Sequence, residues 1–176
     1  DTILKLMHRK YDTSLYRNKI ALIKKLIPLA AIGVDVIVGF PGETEEAFME
    51  TFNFLHEIDF SYLHVFTYSE RNNTKALKIE PIVPIETRRL RNKQLRNLSD
   101  KKWRAFMNQF LHTKREVLFE TENDNGFMNG YTDNYIRVRL PYDQASTNEI
   151  IPVHIQEIHA LGYATNESKQ VSLLHT

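Results

Sequence analysis

The sequence predicts an α/β chain: βα units of a parallel sheet, followed by a small all-β module. Three observations carry that prediction. Strand-like and helix-like stretches alternate with short links up to about residue 80. A long, cationic, helix-patterned stretch follows. Beyond Thr113 the texture changes to short β-like segments separated by turns rich in Asn, Asp and Gly.

The bulk properties bound the answer. With 176 residues and 42% hydrophobic content, the chain has room for one large domain or two small ones with real cores. There is no cysteine, which excludes disulfides, thiol catalysis and any metal cluster held by cysteines of this chain. The histidines do not recur at metal-ligand spacing, so no metal site is expected. No apolar run reaches the ~18–20 residues of a membrane span. The net charge of +1 hides an uneven distribution. Residues 1–83 are nearly balanced, residues 84–113 carry 8 basic and 2 acidic side chains, and residues 114–166 carry 4 and 8.

In chain order, Ile3, Leu6 and Met7 sit at helical spacing, and this abrupt start reads as the middle of a longer chain. A polar loop, His8–Tyr11, precedes a helix expected over Ser14–Ile27, capped by Asp12 or Thr13 and closed by Pro28. Tyr16, Ile20, Ile23 and Ile27 form its apolar stripe. The strand Ala31–Val38 is almost entirely β-branched around Asp35, which predicts burial on both faces. It runs into a glycine-rich turn, Gly39–Gly42, and then a helix over Thr44–Glu57, with Thr44 as cap and Glu45 and Glu46 at the positive end of its dipole. In α/β folds ligands sit at the carboxyl ends of such strands, and glycine lets a flat ligand approach the backbone; an ordinary tight strand-to-helix turn has the same pattern. Phe48, Thr51, Phe52, Leu55 and Ile58 give the helix one buried face. A second strand is expected over Ser61–Tyr68, with His64 as a satisfied core histidine. Two such strands cannot close a sheet, so further strands are expected before residue 1. The polar loop Tyr68–Ala76 lies where a parallel barrel keeps its chemistry. There Arg71 either pairs with a carboxylate or phosphate or is a solvated loop residue.

Pro81 and Pro84 mark a domain edge. A helix is expected from Glu86 to about Leu111, broken near Ser99-Asp100, with Trp103, Phe106, Met107, Phe110 and Leu111 as its apolar stripe. Its other side, with Arg88, Arg91 and Arg96 among the bases, reads either as a surface for a nucleic acid backbone or as a solvated linker helix. The β-like segments are Glu116–Glu120, Tyr135–Leu140, Ile150–Ile158 and Tyr163–Thr165, with turns at Asn123–Gly126 and Asn129-Gly130. They suggest a small barrel of oligonucleotide-binding type. Tyr131, Asn134, Tyr135 and Arg137 place aromatic, amide and guanidinium groups in one turn-and-strand, the chemistry that stacks bases and reads their edges. The acidic balance of this part argues against a strong phosphate grip. The expected boundaries are therefore 1–80, 81–113 (basic linker helix), 114–166 (β-barrel) and 167–176 (loose tail).

Four stretches in this order resemble the radical S-adenosylmethionine methylthiotransferases: Leu4–Tyr11, Gly33–Thr44 (GVDVIVGFPGET), Tyr68–Ala76 (YSERNNTKA), and Val117–Glu120 followed by Gly130–Tyr135 (GYTDNY). The resemblance runs from Leu4 to about Ala164. The Val65–Thr74 segment with Arg71, and the GYTDNY motif, look most like the tRNA enzymes acting on N6-threonylcarbamoyladenosine, with those acting on isopentenyladenosine second.

The resemblance implies the end of a partial, TIM-like (βα) barrel followed by a TRAM domain, a small RNA-binding β-barrel of OB-like form. It implies S-adenosylmethionine and 4Fe-4S clusters as cofactors, with the cluster cysteines upstream of residue 1, so this cysteine-free chain is expected to be inactive alone. Partners implied are tRNA at its anticodon stem-loop, the N-terminal part of the same protein and an electron-donor protein, in the cytoplasm and without membrane. By the same resemblance, Arg9, Ile37, Gly39, Glu43 and Phe66 would border the cofactor. Arg71 and Thr74 would border the substrate. Read from charge and side-chain type, Arg88, Arg91, Arg96, Tyr131, Asn134, Tyr135 and Arg137 would face RNA. A departure is Asp35, where glycine is common in the wider superfamily. Others are Asn72-Asn73, where the family often has proline and glycine, and the neighbourhood of His112, where it often has glycine.

Overall fold

The computed structural model describes residues 1–160 and 162–165, and the tail read at 167–176 lies outside the described residues. The chain divides into two compact units, Asp1–Trp103 and Arg104–Thr176. Among the described residues no helix is long and apolar enough to cross a membrane.

The first unit begins with a short helix α1 (Thr2–Leu6) and the helix α2 (Thr13–Leu26). Asp12 is the α2 cap: its carboxylate accepts the Leu15 N–H at 2.7 Å. Then come β1 (Gly33–Val38), α3 (Glu45–Glu57), β2 (Tyr62–Thr67) and the long α4 (Ile85–Asn108). Thr44 caps α3 through the Ala47 N–H. The two strands pair in parallel, Gly33 opposite Tyr62 through Val38 opposite Thr67, with α3 as the crossover. The core lies between this sheet and the helices. Ile20, Val34, Val38, Phe48, Leu55, Phe60, Leu63, Leu95 and Leu98 are all buried in it, each such side chain contributing roughly 1.5–3 kcal/mol.

Several expectations are corrected here. β1 is not buried on both faces: Val34 and Val38 face the core, whereas Asp35 is exposed. The α2 stripe packs through Ile20 and Tyr16 only, since Ile23 and Ile27 are 39% and 60% exposed. His64 is exposed, its ring edge-on to Tyr62. The fourth helix does not break at Ser99-Asp100 and is no detached linker, because Leu95 and Leu98 belong to the core. Ser99 has a different task. Its hydroxyl accepts the Leu63 N–H at 2.8 Å, and Asn92 Nδ2 donates to the Val65 carbonyl at 3.2 Å. Side chains of α4 thus satisfy the β2 edge that, among the described residues, no strand pairs. Among the described residues the far edge of β1 pairs with no strand.

Among the described residues the second unit is an antiparallel-rich sheet of six strands in the order β6-β3-β4-β5-β8-β7. These are β3 (Lys114–Phe119), β4 (Phe127–Thr132), β5 (Arg137–Pro141), β6 (Ile150–His154), β7 (Glu157-Ile158) and β8 (Ala164-Thr165). Val117, Phe119, Met128, Val138, Leu140 and Val153 fill its inner side. The segment Ile150–Ile158 is two strands rather than one. Asn129-Gly130 is not a turn but the middle of β4. There a Cβ on Gly130 would stand 2.6 Å from the Leu118 carbonyl oxygen, so the glycine lets two strands approach closely.

Candidate functional site

A cavity of about 480 Å³ lies in the first unit, against β1 and the start of α3, within the size range of small-molecule sites. Its floor is Val34–Ile37 of β1 and its walls come from α1 (Ile3, Leu4), Tyr11, Tyr16 and the α3 residues Ala47, Glu50, Thr51 and Phe54. Arg9, Ile37, Glu43 and Phe66, which are far apart in sequence, all line it. Ile37 and Phe66 are register partners across the sheet, so their side chains stand side by side on the face away from the core. Together they make a flat apolar surface, Phe66 being 53% exposed.

The polar lining is mostly anionic. Four acidic residues, Asp1, Asp35, Glu43 and Glu50, line the cavity with a single basic one, Arg9. Asp1 is tied to Thr13, accepting from its N–H at 2.9 Å. The Tyr16 hydroxyl is pushed above its ordinary value of 10.0, first by burial and then by the nearby Tyr11 and Asp35. Glu43 is neutralised by Arg91, so Asp35 and Glu50 are the carboxylates that, beside the apolar shelf, favour a ligand with a planar ring and a positive centre.

Glu43 is the buried hub of the turn. Its Oε2 accepts the Gly39 N–H at 2.7 Å and pairs with Arg91 Nη1 at 2.7 Å. Arg91 also donates to the Glu43 carbonyl and to Glu45, and its guanidinium lies 5.1 Å from the centre of the Phe48 ring. Burial pushes the Glu43 carboxyl up, while the Gly39 N–H and Arg91 pull it back.

Gly39 does not line the cavity. At φ +76° it needs the left-handed region, and the space over its Cα is filled by the Arg88 stem, not by an open approach path. Arg71 and Thr74 lie apart from the cavity on an exposed loop, where the Thr74 hydroxyl donates to the Arg71 carbonyl.

The cationic face of α4 is also corrected. Arg88 and Arg91 are each 4% exposed and turn inward. Arg88 donates to the carbonyls of Val83 and Tyr68 and pairs with Glu70 at 2.6 Å. Both arginines satisfy loop groups that follow β1 and β2, so neither is placed to meet a phosphate. Arg96 is exposed as expected.

In the second unit Tyr131 and Tyr135 are 40% and 72% exposed. Tyr135 sits at the tip of the β4–β5 turn with φ 65°. Asn134 is buried: its Oδ1 accepts the Thr132 hydroxyl at 2.6 Å, while Thr132 Oγ1 accepts the Ile136 N–H. It builds the turn and is not placed to read a base. Arg137 is half-buried on Asn129.

Sequence reading missed Tyr11 and Tyr16 as cavity walls. A signal was present, because Tyr16 shares a helix face with Ile20, but nothing in the pattern shows that α3 lies opposite. Among the described residues no group of three or more His, Cys, Asp or Glu side chains could hold a metal ion.

No family model matches the chain. Curated proteins do. The threonylcarbamoyladenosine tRNA methylthiotransferase MtaB of Bacillus subtilis is 39% identical over 99% of this chain and 39% of its own length. The protein of the same name from Aquifex aeolicus is 39% identical over 78% of this chain and 32% of its own. A tRNA-2-methylthio-N(6)-dimethylallyladenosine synthase of Protochlamydia amoebophila is 39% identical over 74% of this chain and 29% of its own. The chain spans about two fifths or less of the length of these relatives.

Proposed function

We propose that this chain, which is related to the tRNA methylthiotransferases over almost its whole length, is part of such an enzyme. In this reading it supplies one wall of the S-adenosylmethionine pocket and the RNA-binding module. The cavity beside β1 carries the proposal. Its Ile37–Phe66 shelf suits an adenine ring, and Asp35 and Glu50 suit the positive sulfonium and ammonium groups of that cofactor. Bound there, S-adenosylmethionine would supply radical and methyl-transfer chemistry. The chain's own part is to hold it. Ile37 and Phe66 pack the ring, Arg9 reaches the carboxylate, and Glu43 with Arg91 keeps the turn after β1 in shape. With no cysteine, the chain does not fit an iron–sulfur cluster, and any 4Fe-4S cluster has its ligands elsewhere in the parent protein.

The unpaired edge of β1 agrees with a partial barrel whose earlier strands come from that parent. A strand leading into α2 would reach that edge by the right-handed crossover. The second unit, read as a TRAM-type barrel, would grip the anticodon stem-loop, with Arg71 and Thr74 near the modified base. An electron-donor protein and a cytoplasmic setting complete the reading. Threonylcarbamoyladenosine is the proposed substrate, supported by the Arg71 loop and by the 99% coverage of the MtaB relative. The alternatives are isopentenyladenosine as substrate, or a non-catalytic tRNA-binding module.

The test has two parts. The parent protein is expected to carry Cys-x-x-x-Cys-x-x-Cys before Asp1, and its deletion should leave threonylcarbamoyladenosine in tRNA without the methylthio group by nucleoside mass spectrometry. Loss of the methylthio group from isopentenyladenosine instead would select the alternative substrate, and an intact nucleoside profile would overturn the enzyme. Independently, Ile37→Asp in the parent should abolish S-adenosylmethionine binding measured by calorimetry.

A further inference from the structure

The sheet of the second unit carries a feature that runs across strands and so is invisible along the chain. Ile150 of β6 is the register partner of Leu118 of β3, Leu118 that of Tyr131 of β4, and Tyr131 that of Arg137 of β5. All four side chains stand on the outward face. Ile150, Leu118 and Tyr131 are 61%, 49% and 40% exposed. They form one continuous row over four neighbouring strands, roughly 14 Å long at ordinary strand spacing.

The end of the row is pre-set. Arg137 gives Nε and Nη2 to Asn129 Oδ1 at 3.2 and 2.9 Å. Asn129 lies two residues before Tyr131 on the same face of β4, so the guanidinium is held against the sheet at the aromatic end of the row. The charge of this unit is also segregated. Residues 114–165 are acidic in total, yet their four bases, Lys114, Arg115, Arg137 and Arg139, lie on β3 and β5. Six of the eight acids lie in the connections between strands. Arg115 and Arg139 are paired with Asp133 and Asp124, and Glu116 lies two residues before Leu118 on the same face of β3, so Arg137 is the cation that the row itself offers a phosphate.

We propose that this row is where the second unit holds unpaired RNA bases, stacking on Tyr131 and lying along Leu118 and Ile150, with Arg137 at the adjoining phosphate. The proposal rests on the reading of this unit as an RNA-binding module and names the face that does it. A planar aromatic flanked by aliphatic side chains takes up the face of any base without reading its sequence. A sheet surface that stacks two or three bases is a known solution to single-strand recognition. Duplex RNA keeps its base faces covered and gains nothing from the row.

The test uses the whole 176-residue chain. The probes are a fluorescein-labelled RNA strand of about ten nucleotides and the same strand annealed to its complement, read by anisotropy. The chain should prefer the single strand. Tyr131→Ala should weaken it about 5- to 100-fold, and Tyr131→Phe should restore it. Ile150→Glu, at the most exposed position, guards against a misfolded Tyr131 variant; it should also weaken binding while melting like the wild type. Wild-type affinity in both the Tyr131→Ala and Ile150→Glu proteins would overturn the row while leaving RNA binding by the unit intact. A wild-type chain that binds neither probe overturns the RNA reading itself and the row with it. Row variants that change only self-association, seen by sedimentation, would make the face a protein interface and overturn the proposal.

Discussion

The stem of Arg88 occupies the place where a side chain on Gly39 would begin: a Cβ there would stand 2.3 Å from Arg88 Cγ. Gly39 is thus specified twice, by its φ of +76° and by the arginine that covers it. Gly39→Ala is expected to lower the stability of the first unit by at least about 2 kcal/mol, from left-handed strain plus overpacking. Combining it with Arg88→Ala should relieve the packing part, so urea unfolding of the four proteins should show non-additive losses. Purely additive losses would mean that the two residues do not meet.

Arg91 and Glu43 form a buried pair at 2.7 Å. Arg91→Met leaves a carboxylate out of water without its partner and should cost about 3–5 kcal/mol. Glu43→Gln keeps an acceptor for the Gly39 N–H and should cost less. Denaturant melts that rank the two variants the other way would contradict the assigned roles.

Glu70 gives a pH signature. Its hydrogen bond to Arg88 is the first cause holding its carboxyl below the ordinary value of 4.5. A carboxyl depressed in the folded state adds stability that is present above 4.5 and is lost as pH falls through the folded value. Thermal melts of wild type and Glu70→Gln should differ at neutral pH and converge in the acid range below 4.5. A gap that stays constant from pH 7 down to pH 3 would remove Glu70 as the cause.

Ser99 caps the β2 edge, so Ser99→Ala leaves the Leu63 N–H unsatisfied and should cost about 1–3 kcal/mol. Amide exchange at Leu63 should accelerate more than at neighbouring core amides. Unchanged protection at Leu63 would show that the hydroxyl is dispensable.

Among the three arginines of α4 first read as an RNA-facing set, only Arg96 remains exposed. Arg96→Ala is expected to weaken RNA binding modestly and reduce its salt slope by up to about one. Arg88→Ala and Arg91→Ala should act through stability instead. An unchanged salt slope in Arg96→Ala would return the helix surface to plain solvation.

The elements were legible in the sequence because their causes are local. The Asp12 and Thr44 caps, the β-branched run of β1 and the apolar spacing of α3 each depend on residues within a few positions, and the structure places those elements there. The family resemblance was legible too, since it rests on short motifs in order. What sequence could not show was which neighbour each side chain would meet. Arg88 and Arg91 looked like a solvated charge face because helical spacing says which side they share, not what packs on it. The turns after β1 and β2 offered carbonyls and carboxylates there, so the guanidiniums went inward. Gly130 read as a turn because its close partner, Leu118, lies in another strand, and Asn134 read as a base contact because its hydrogen bond to Thr132 closes only in the folded turn. Along the chain, composition and periodicity determined the helices, the strands and their order. Register and burial, which depend on contacts between residues distant in sequence, decided which polar groups were left facing water and able to bind.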